Sequence, residues 1–205
     1  MIYAIIVAAV LLVLLLSLVW LRKVQFDAVH RNFLDLIDNF GGKVARSGFA
    51  IRPRYSGKFK ELPLAISISS EKKSKDRSRL YYIAVYLKSV SKYNFTIMSV
   101  DWLDGRDHSK AGKSFVRKIF DKQYVVEVTD KQLLKKLNFS GIEKVVGKID
   151  PFAYVLVSRR GIILERVSVN LIQDTEFKNL RKLVEGIYQL SNLHPKSAET
   201  QPAKE

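Results

Sequence analysis

The sequence predicts an α+β protein in which an N-terminal transmembrane helix is followed by a mostly antiparallel sheet domain with packed helices. Three observations carry this prediction: an uncharged apolar segment over residues 1–21, short alternating strands between Lys43 and Val100, and helix start signals in the second half. The predicted organisation is a membrane anchor at 1–22, a juxtamembrane amphipathic helix at 23–42, a soluble domain at 43–193 and a disordered tail at 194–205.

The first 21 residues have the length and composition of a single membrane-spanning helix. They contain fourteen Leu, Ile and Val residues, which favour insertion by about 4 to 8 kcal/mol as an upper bound. About 20 apolar residues cross the roughly 30 Å hydrocarbon core, so the run is just long enough. The predicted anchor residues are Ile2, Leu12 and Trp20 within the run, and Arg22 and Lys23 directly behind it.

Two other interpretations of this segment are a cleaved signal peptide and the core helix of a soluble protein. A signal peptide fits poorly because no Lys or Arg precedes the run and no small-residue cleavage site comes before Arg22. A core helix fits poorly because every face is apolar. The basic residues Arg22, Lys23 and Arg31 follow the run, so the positive-inside rule predicts an external N-terminus and a cytoplasmic domain.

Behind the anchor, apolar residues at three- and four-residue steps predict a helix over Val24 to Phe40, either continuing from the membrane helix or hinged to it. Gly41-Gly42 ends this helix. Four segments then predict an antiparallel meander, because the connections are too short for helical crossovers. They are Lys43 to Ile51, Lys58 to Ser69, Leu80 to Lys88 and Phe95 to Val100, with a turn at Pro53 to Gly57 and an edge strand or bulge at Pro63.

The second half predicts more helix. Ser114 to Asp121 is predicted to be helical and Gln123 to Val128 to be a strand, while capping boxes beginning at Thr129 and Ser140 predict two helix starts. Arg160-Gly161 predicts a hairpin between the last two strands. A final helix is predicted from Asp174 or Thr175, with an apolar face.

The net charge of +15 is uneven, which suggests a polyanionic partner. Between Lys43 and Lys92 there are thirteen basic and three acidic residues, an excess of ten. A loop in this region is the predicted polyanion contact: Lys72, Lys73, Lys75, Arg77 and Arg79. Anionic lipid headgroups and nucleic acid are the polyanions that such a loop could meet, and a solvated hairpin loop is the alternative without a partner.

The sequence contains no complete enzyme motif, so no catalytic residue, cofactor or metal site is predicted. Ala111 to Ser114 is similar to the end of a phosphate-binding loop, but Asp107 stands where that motif needs its first glycine. Asp101, Asp104, Asp107 and His108 form the densest group of candidate metal ligands, in a spacing that is also typical of a solvated turn.

The run from Gly112 through Phe120-Asp121 to Tyr124-Val125-Val126, followed by a Leu-rich helix, a hairpin and a final helix, carries a resemblance. In this layout the chain resembles a loosely defined group of uncharacterised membrane-anchored bacterial and archaeal domains, over Arg54 to Leu193. In that group a Phe-Asp pair precedes an aromatic-Val strand. The acidic residue expected just after the glycine is missing here. The resemblance implies an order of elements and supplies no activity, ligand or site residue.

We therefore expect a single-pass membrane protein whose basic domain is a binding or scaffolding module, with the bilayer, its anionic headgroups or another membrane protein as partner. A membrane-tethered nucleic-acid-binding module is the first alternative. An enzyme whose site is assembled from residues distant in sequence is the second.

Overall fold

In the part of the chain that the structure describes, nine strands form an antiparallel sheet that follows a long N-terminal helix, which confirms the predicted fold class. The computed structural model describes residues 1–49, 51–72, 79–89, 91–104 and 115–193, with the backbone alone at 72, 79 and 104. The elements in chain order are α1 Ile2–Phe40, β1 Lys43–Ala45, β2 Arg54–Phe59, β3 Leu62–Lys72, β4 Arg79–Leu87, β5 Phe95–Ser99, α2 Val100–Asp104, β6 Phe115–Ile119, β7 Tyr124–Val128, α3 Lys131–Lys136, α4 Phe139–Ile149, β8 Tyr154–Ser158, β9 Gly161–Ser168, α5 Leu171–Asp174 and α6 Phe177–Ser191.

The chain divides into two compact units, which are described separately. The first contains Met1–Ala84 and Ser168–Arg181, and the second contains Val85–Val167 and Lys182–Glu205.

Helix α1 is continuous over 39 residues, so the two predicted helices are one and the described chain has no hinge between them. Its first fully buried residue is Phe26, and Val29, Phe33 and Leu36 complete a buried stripe at helical spacing. The helix ends at Gly41, whose φ of 67° and bond from its N–H to the Ile37 carbonyl (2.8 Å) close the last turn.

In the first unit the strands follow the order β1-β2-β3-β4, with antiparallel pairing of β1 with β2 and of β2 with β3. The predicted strand Lys58 to Ser69 is confirmed over Leu62 to Ser69, which lies in β3, but it is wrong as a single strand. The chain reverses at Lys60 and Glu61, whose φ values are 48° and 65°. The predicted turn at Pro53 to Gly57 is instead largely strand β2.

Tertiary contacts explain why the glycine of β2 gave a misleading turn signal. A Cβ atom on Gly57 would lie 2.1 Å from the Tyr55 hydroxyl oxygen, and that hydroxyl donates a hydrogen bond to the Gly41 carbonyl (2.8 Å). Glycine is therefore present to admit a side chain rather than to turn the chain. Burial raises the pKa of Tyr55, so its hydroxyl remains a donor at neutral pH.

In the second unit the strand order is β9-β8-β5-β7-β6. Strand β5 pairs with β8 and β7, so the predicted meander that ended on this strand is wrong. The predicted helix over Ser114 to Asp121 is also wrong, because Phe115–Ile119 pairs with Tyr124–Val128 as strand β6. Turn residues Phe120, Asp121 and Lys122 have positive φ values of 52°, 50° and 69°, and they join these two strands.

The remaining helices of the second unit begin close to their predicted positions but use other caps. Asp130 rather than Thr129 caps α3, accepting a bond from the Gln132 N–H (2.8 Å). Asn138 rather than Ser140 caps α4, accepting from the Gly141 N–H (3.0 Å). Sequence spacing located the helices because short polar side chains cap N-termini in general, but it could not choose among neighbouring candidates.

Candidate membrane-proximal site

The apolar half of α1 is exposed along its whole length. One window of this helix has a mean hydropathy of 3.1 and none of its residues is buried, so the helix is long and apolar enough to cross a membrane. Leu12, at the middle of the run, is 58% exposed. An uninterrupted exposed surface of this kind is unusual for water-facing protein and typical of a lipid-facing or partner-facing helix.

The two basic residues that follow this run are fixed by contacts with the domain. The Arg22 guanidinium lies over the Phe26 ring at 5.5 Å, and Lys23 Nζ lies 5.7 Å from the centroid of Phe49. Lys23 also forms an ion pair with Asp27 (2.5 Å) one turn further along the helix. The charges predicted to stop membrane insertion therefore lie where the folded domain begins.

Asp27 connects α1 to the segment that follows β1. Its second carboxylate oxygen accepts a hydrogen bond from Arg46 Nη1. The hydrogen bonds from Lys23 and Arg46, in that order of importance, lower the pKa of Asp27 below its ordinary value of 3.8. The carboxylate is thus ionised at neutral pH and holds two cations at the start of the domain.

Replacing Asp27 with asparagine is expected to destabilise the folded protein at neutral pH and to have little effect in acid. Because the folded-state pKa is lowered, the carboxylate stabilises the fold above its unfolded-state value, and this stabilisation disappears as the pH falls through the folded-state value. Unfolding midpoints of the full chain in detergent micelles, measured from about pH 7 to pH 2, test this window.

Asp38→Asn provides the control, because Asp38 is an exposed residue on the same helix. A difference between wild type and Asp27→Asn that stays constant over the whole pH range would contradict the expectation.

A cleft of about 380 Å³ lies beside this ion-pair network, lined by Val24, Asp27, His30, Arg31 and Arg46. Two nitrogen atoms of its lining residues, His30 Nδ1 and Arg46 Nε, are buried and have no hydrogen-bond partner within the part of the chain that the structure describes. Arg31 is exposed. The cleft therefore combines cationic side chains with unused hydrogen-bonding capacity.

The same end of the first unit holds a second basic and aromatic cluster. Arg52 lies 5.9 Å from the Tyr81 ring and donates a hydrogen bond to the Ser70 hydroxyl, and Tyr81 contacts Phe26 edge to face at 6.2 Å. Phe49 and Ile51, which precede Arg52, are 63% and 45% exposed. Apolar side chains exposed among cations are typical of surfaces that meet a membrane interface.

The predicted polyanion contact lies largely outside the described residues. Lys73, Lys75 and Arg77 fall in 73–78, and the side chains of Lys72 and Arg79 are not described. Strand β4, which follows this segment, contacts α1 through Tyr81 and Phe26, and the Tyr82 hydroxyl donates to Glu71 of β3 (3.2 Å). Lipid or nucleic acid contact by this segment stays a prediction.

The predicted acidic cluster is only partly described. Asp101 is an exposed residue in α2, whereas Asp107 and His108 lie outside the described residues, as do Ala111 to Ser114. Within the described ranges, no group of three or more His, Cys, Asp or Glu side chains is arranged to hold a metal ion.

One polar network in the second unit was not anticipated from the sequence. The buried Tyr124 hydroxyl donates to Asp150 Oδ1 and accepts a hydrogen bond from the Phe152 N–H (3.3 Å), while its ring stacks on Phe152 at 4.4 Å. Burial first, and then the bond to Asp150, raise the pKa of Tyr124 far above its ordinary value. The network ties β7 to the segment before β8, and its buried, fully neutral tyrosine indicates a structural role.

Sequence reasoning identified Arg22 and Lys23 but missed Asp27, His30, Arg46 and Phe49. The four-residue spacing of Lys23 and Asp27 was an available signal for the helical ion pair. No local pattern joins Arg46 or Phe49 to α1, because these contacts depend on how the chain returns after β1.

No family model matches the chain, and no curated protein matches it. Among solved structures, the crystal structure of the mycobacterial trehalose monomycolate transport factor A, TtfA, is similar to this chain with a TM-score of 0.42 and 8% sequence identity. The similarity covers 78% of this chain and 95% of that chain. A likeness at this level identifies neither a shared family nor a shared function.

Proposed function

We propose that this protein is a single-pass membrane-anchored binding module whose soluble domain lies against the cytoplasmic surface of the bilayer. The observation that carries the proposal is the unbroken helix α1, which is exposed and apolar up to Leu21 and buried in the domain from Phe26. These two residues are five positions apart, which is about 7.5 Å along a helix axis. A domain joined in this way is held close to the membrane surface.

The charges and exposed apolar residues near the junction support a lipid surface as the first partner. Lys23 lies over the exposed Phe49 and shares Asp27 with Arg46, while Arg22 lies over Phe26 and Arg52 over Tyr81. Each basic residue near an anionic leaflet contributes about 1 kcal/mol. Phe49 contacts Lys23, two residues beyond the apolar run, so it lies at the depth of the lipid headgroups when α1 spans the bilayer. Another membrane protein bound at this surface would meet the same residues.

A single-cysteine probe tests whether this surface meets lipid. The sequence contains no cysteine, so Ile51→Cys introduces one unique thiol beside Phe49 without a background reaction. With an environment-sensitive dye attached, the protein in anionic vesicles is expected to show a blue-shifted emission and quenching by lipids that carry a headgroup-level quencher.

Lys58→Cys is the matched control in the same unit. Lys58 is 65% exposed and precedes Phe59, whose ring packs on Phe40 at the far end of α1. The 19 helical steps from Leu21 to Phe40 span about 28 Å, so a dye at this position is expected to remain in water. Equal emission from the two sites would show that the domain does not lie on the bilayer.

The same variants test orientation. The basic residues that follow the apolar run favour a cytoplasmic domain, so a membrane-impermeant maleimide is expected to label Lys58→Cys only after cells are permeabilised. Labelling in intact cells would place the domain on the other side and overturn this orientation.

A further inference from the structure

We propose that the cleft lined by Val24, Asp27, His30, Arg31 and Arg46 binds the phosphate of an anionic phospholipid headgroup. This inference rests on the proposed function, because a domain held at the bilayer brings the cleft to the lipid.

The charge of the cleft favours an anion. Lys23, Arg31 and Arg46 supply three positive charges in or beside it, and Asp27 supplies one negative charge, which leaves a net charge of +2. Lys23 and Arg46 both donate hydrogen bonds to the Asp27 carboxylate. The carboxylate therefore orients the Arg46 guanidinium.

Unused hydrogen-bonding atoms in the lining provide the second argument. Arg46 uses Nη1 for Asp27, whereas its Nε, like Nδ1 of His30, is buried without a partner among the described residues. A guanidinium fork can hold one carboxylate along one edge and a phosphate along another. Because a buried donor without an acceptor is costly, a phosphate oxygen that accepts from Arg46 Nε would stabilise this site.

The position of the cleft favours a lipid over a free anion. Val24 lies three residues beyond Leu21, about 4.5 Å along the helix, and its exposed side chain forms an apolar lip on the membrane side. An acyl chain of the lipid can lie against Val24 while the phosphate faces Arg31. An inorganic anion gains nothing from the apolar contact.

The test measures the unfolding midpoint of the full chain in uncharged detergent micelles with three additives: short-chain phosphatidylglycerol, short-chain phosphatidylcholine and inorganic phosphate. Ligands that bind only the folded state raise the midpoint by an amount that grows with the ratio of ligand concentration to dissociation constant. We expect phosphatidylglycerol to raise it most. In Arg31→Gln the apparent affinity for phosphatidylglycerol is expected to fall about tenfold, as for the loss of one charge-assisted hydrogen bond.

Two further variants separate binding from folding. Arg46→Lys keeps a cation for Asp27 but removes Nε and the fork, so it is expected to weaken the lipid effect while retaining the fold. Arg160→Gln removes an exposed arginine from the second unit and is expected to leave the effect unchanged.

If phosphatidylglycerol shifts the unfolding midpoints of Arg31→Gln and Arg160→Gln equally, the cleft is not the binding site. A shift with inorganic phosphate as large as that with phosphatidylglycerol would overturn the lipid as its source. The short-chain lipid reaches the cleft without a bilayer, so this result is independent of the vesicle and labelling experiments that test membrane anchoring.

Discussion

Replacing Phe33 with alanine is expected to destabilise the protein by about 3–5 kcal/mol, the largest effect of any substitution considered. Phe33 is fully buried at the centre of the stripe by which α1 packs into the first unit. Truncation removes most of an aromatic side chain and leaves a cavity that the helix and sheet cannot fully close. Urea unfolding of the full chain in detergent micelles measures the loss.

The adjacent residue is the control for this substitution. Leu34 is 41% exposed, so Leu34→Ala deletes apolar atoms from the same helix without opening a cavity and is expected to cost about 1 kcal/mol or less. Equal losses for the two variants would mean that the second half of α1 is not an integral part of the core. The proposed close attachment of domain to membrane would then fail as well.

Replacing Leu12 with arginine is expected to weaken membrane insertion by about 3–4 kcal/mol, the sum of the cost of a central charge and the lost leucine. Leu12 is exposed and lies within the apolar half of α1, so the domain itself should unfold at an unchanged denaturant concentration. The measurement is the fraction of protein that stays with membranes after extraction with alkaline carbonate.

Leu12→Ala controls for the loss of side-chain volume. It removes only part of the insertion energy, and most of the protein is expected to stay with the membrane. A membrane-retained fraction as high for Leu12→Arg as for Leu12→Ala, with the domain folded, would contradict the expectation that position 12 faces lipid.

The surface of the first unit that the two proposals share could be predicted only in part. Arg22 and Lys23 were evident as charges behind an apolar run, and their predicted position at the membrane boundary needs no tertiary information. Their contacts with Phe26, Asp27 and Phe49 do need it. A side chain such as Arg46 reaches Asp27 only because Gly41 and Gly42 reverse the chain and β1 runs back beside the helix.

Errors in the predicted strands have a common cause. Pro53 and Gly57 are typical of turns, yet β2 forms there because it pairs with β1 and β3 on its two edges and because Gly57 admits the Tyr55 hydroxyl. Conversely, the chain turns at Lys60 and Glu61, two residues that rarely adopt positive φ, between strands whose pairing fixes the register. Pairing between strands therefore determined the position of β2 and of the turn, although the local preferences of the residues favoured the opposite.

The sequence by itself determined the apolar length and flanking charges of α1, the α+β class and the approximate positions of most helices, because these depend on local composition and on periods of two or 3.6 residues. Only the tertiary structure decided that the predicted membrane-spanning segment and the first core helix form one continuous helix, and which cations lie around Asp27. Those properties depend on contacts between residues far apart in the chain, where packing and paired charges outweigh the weak preferences of any single segment.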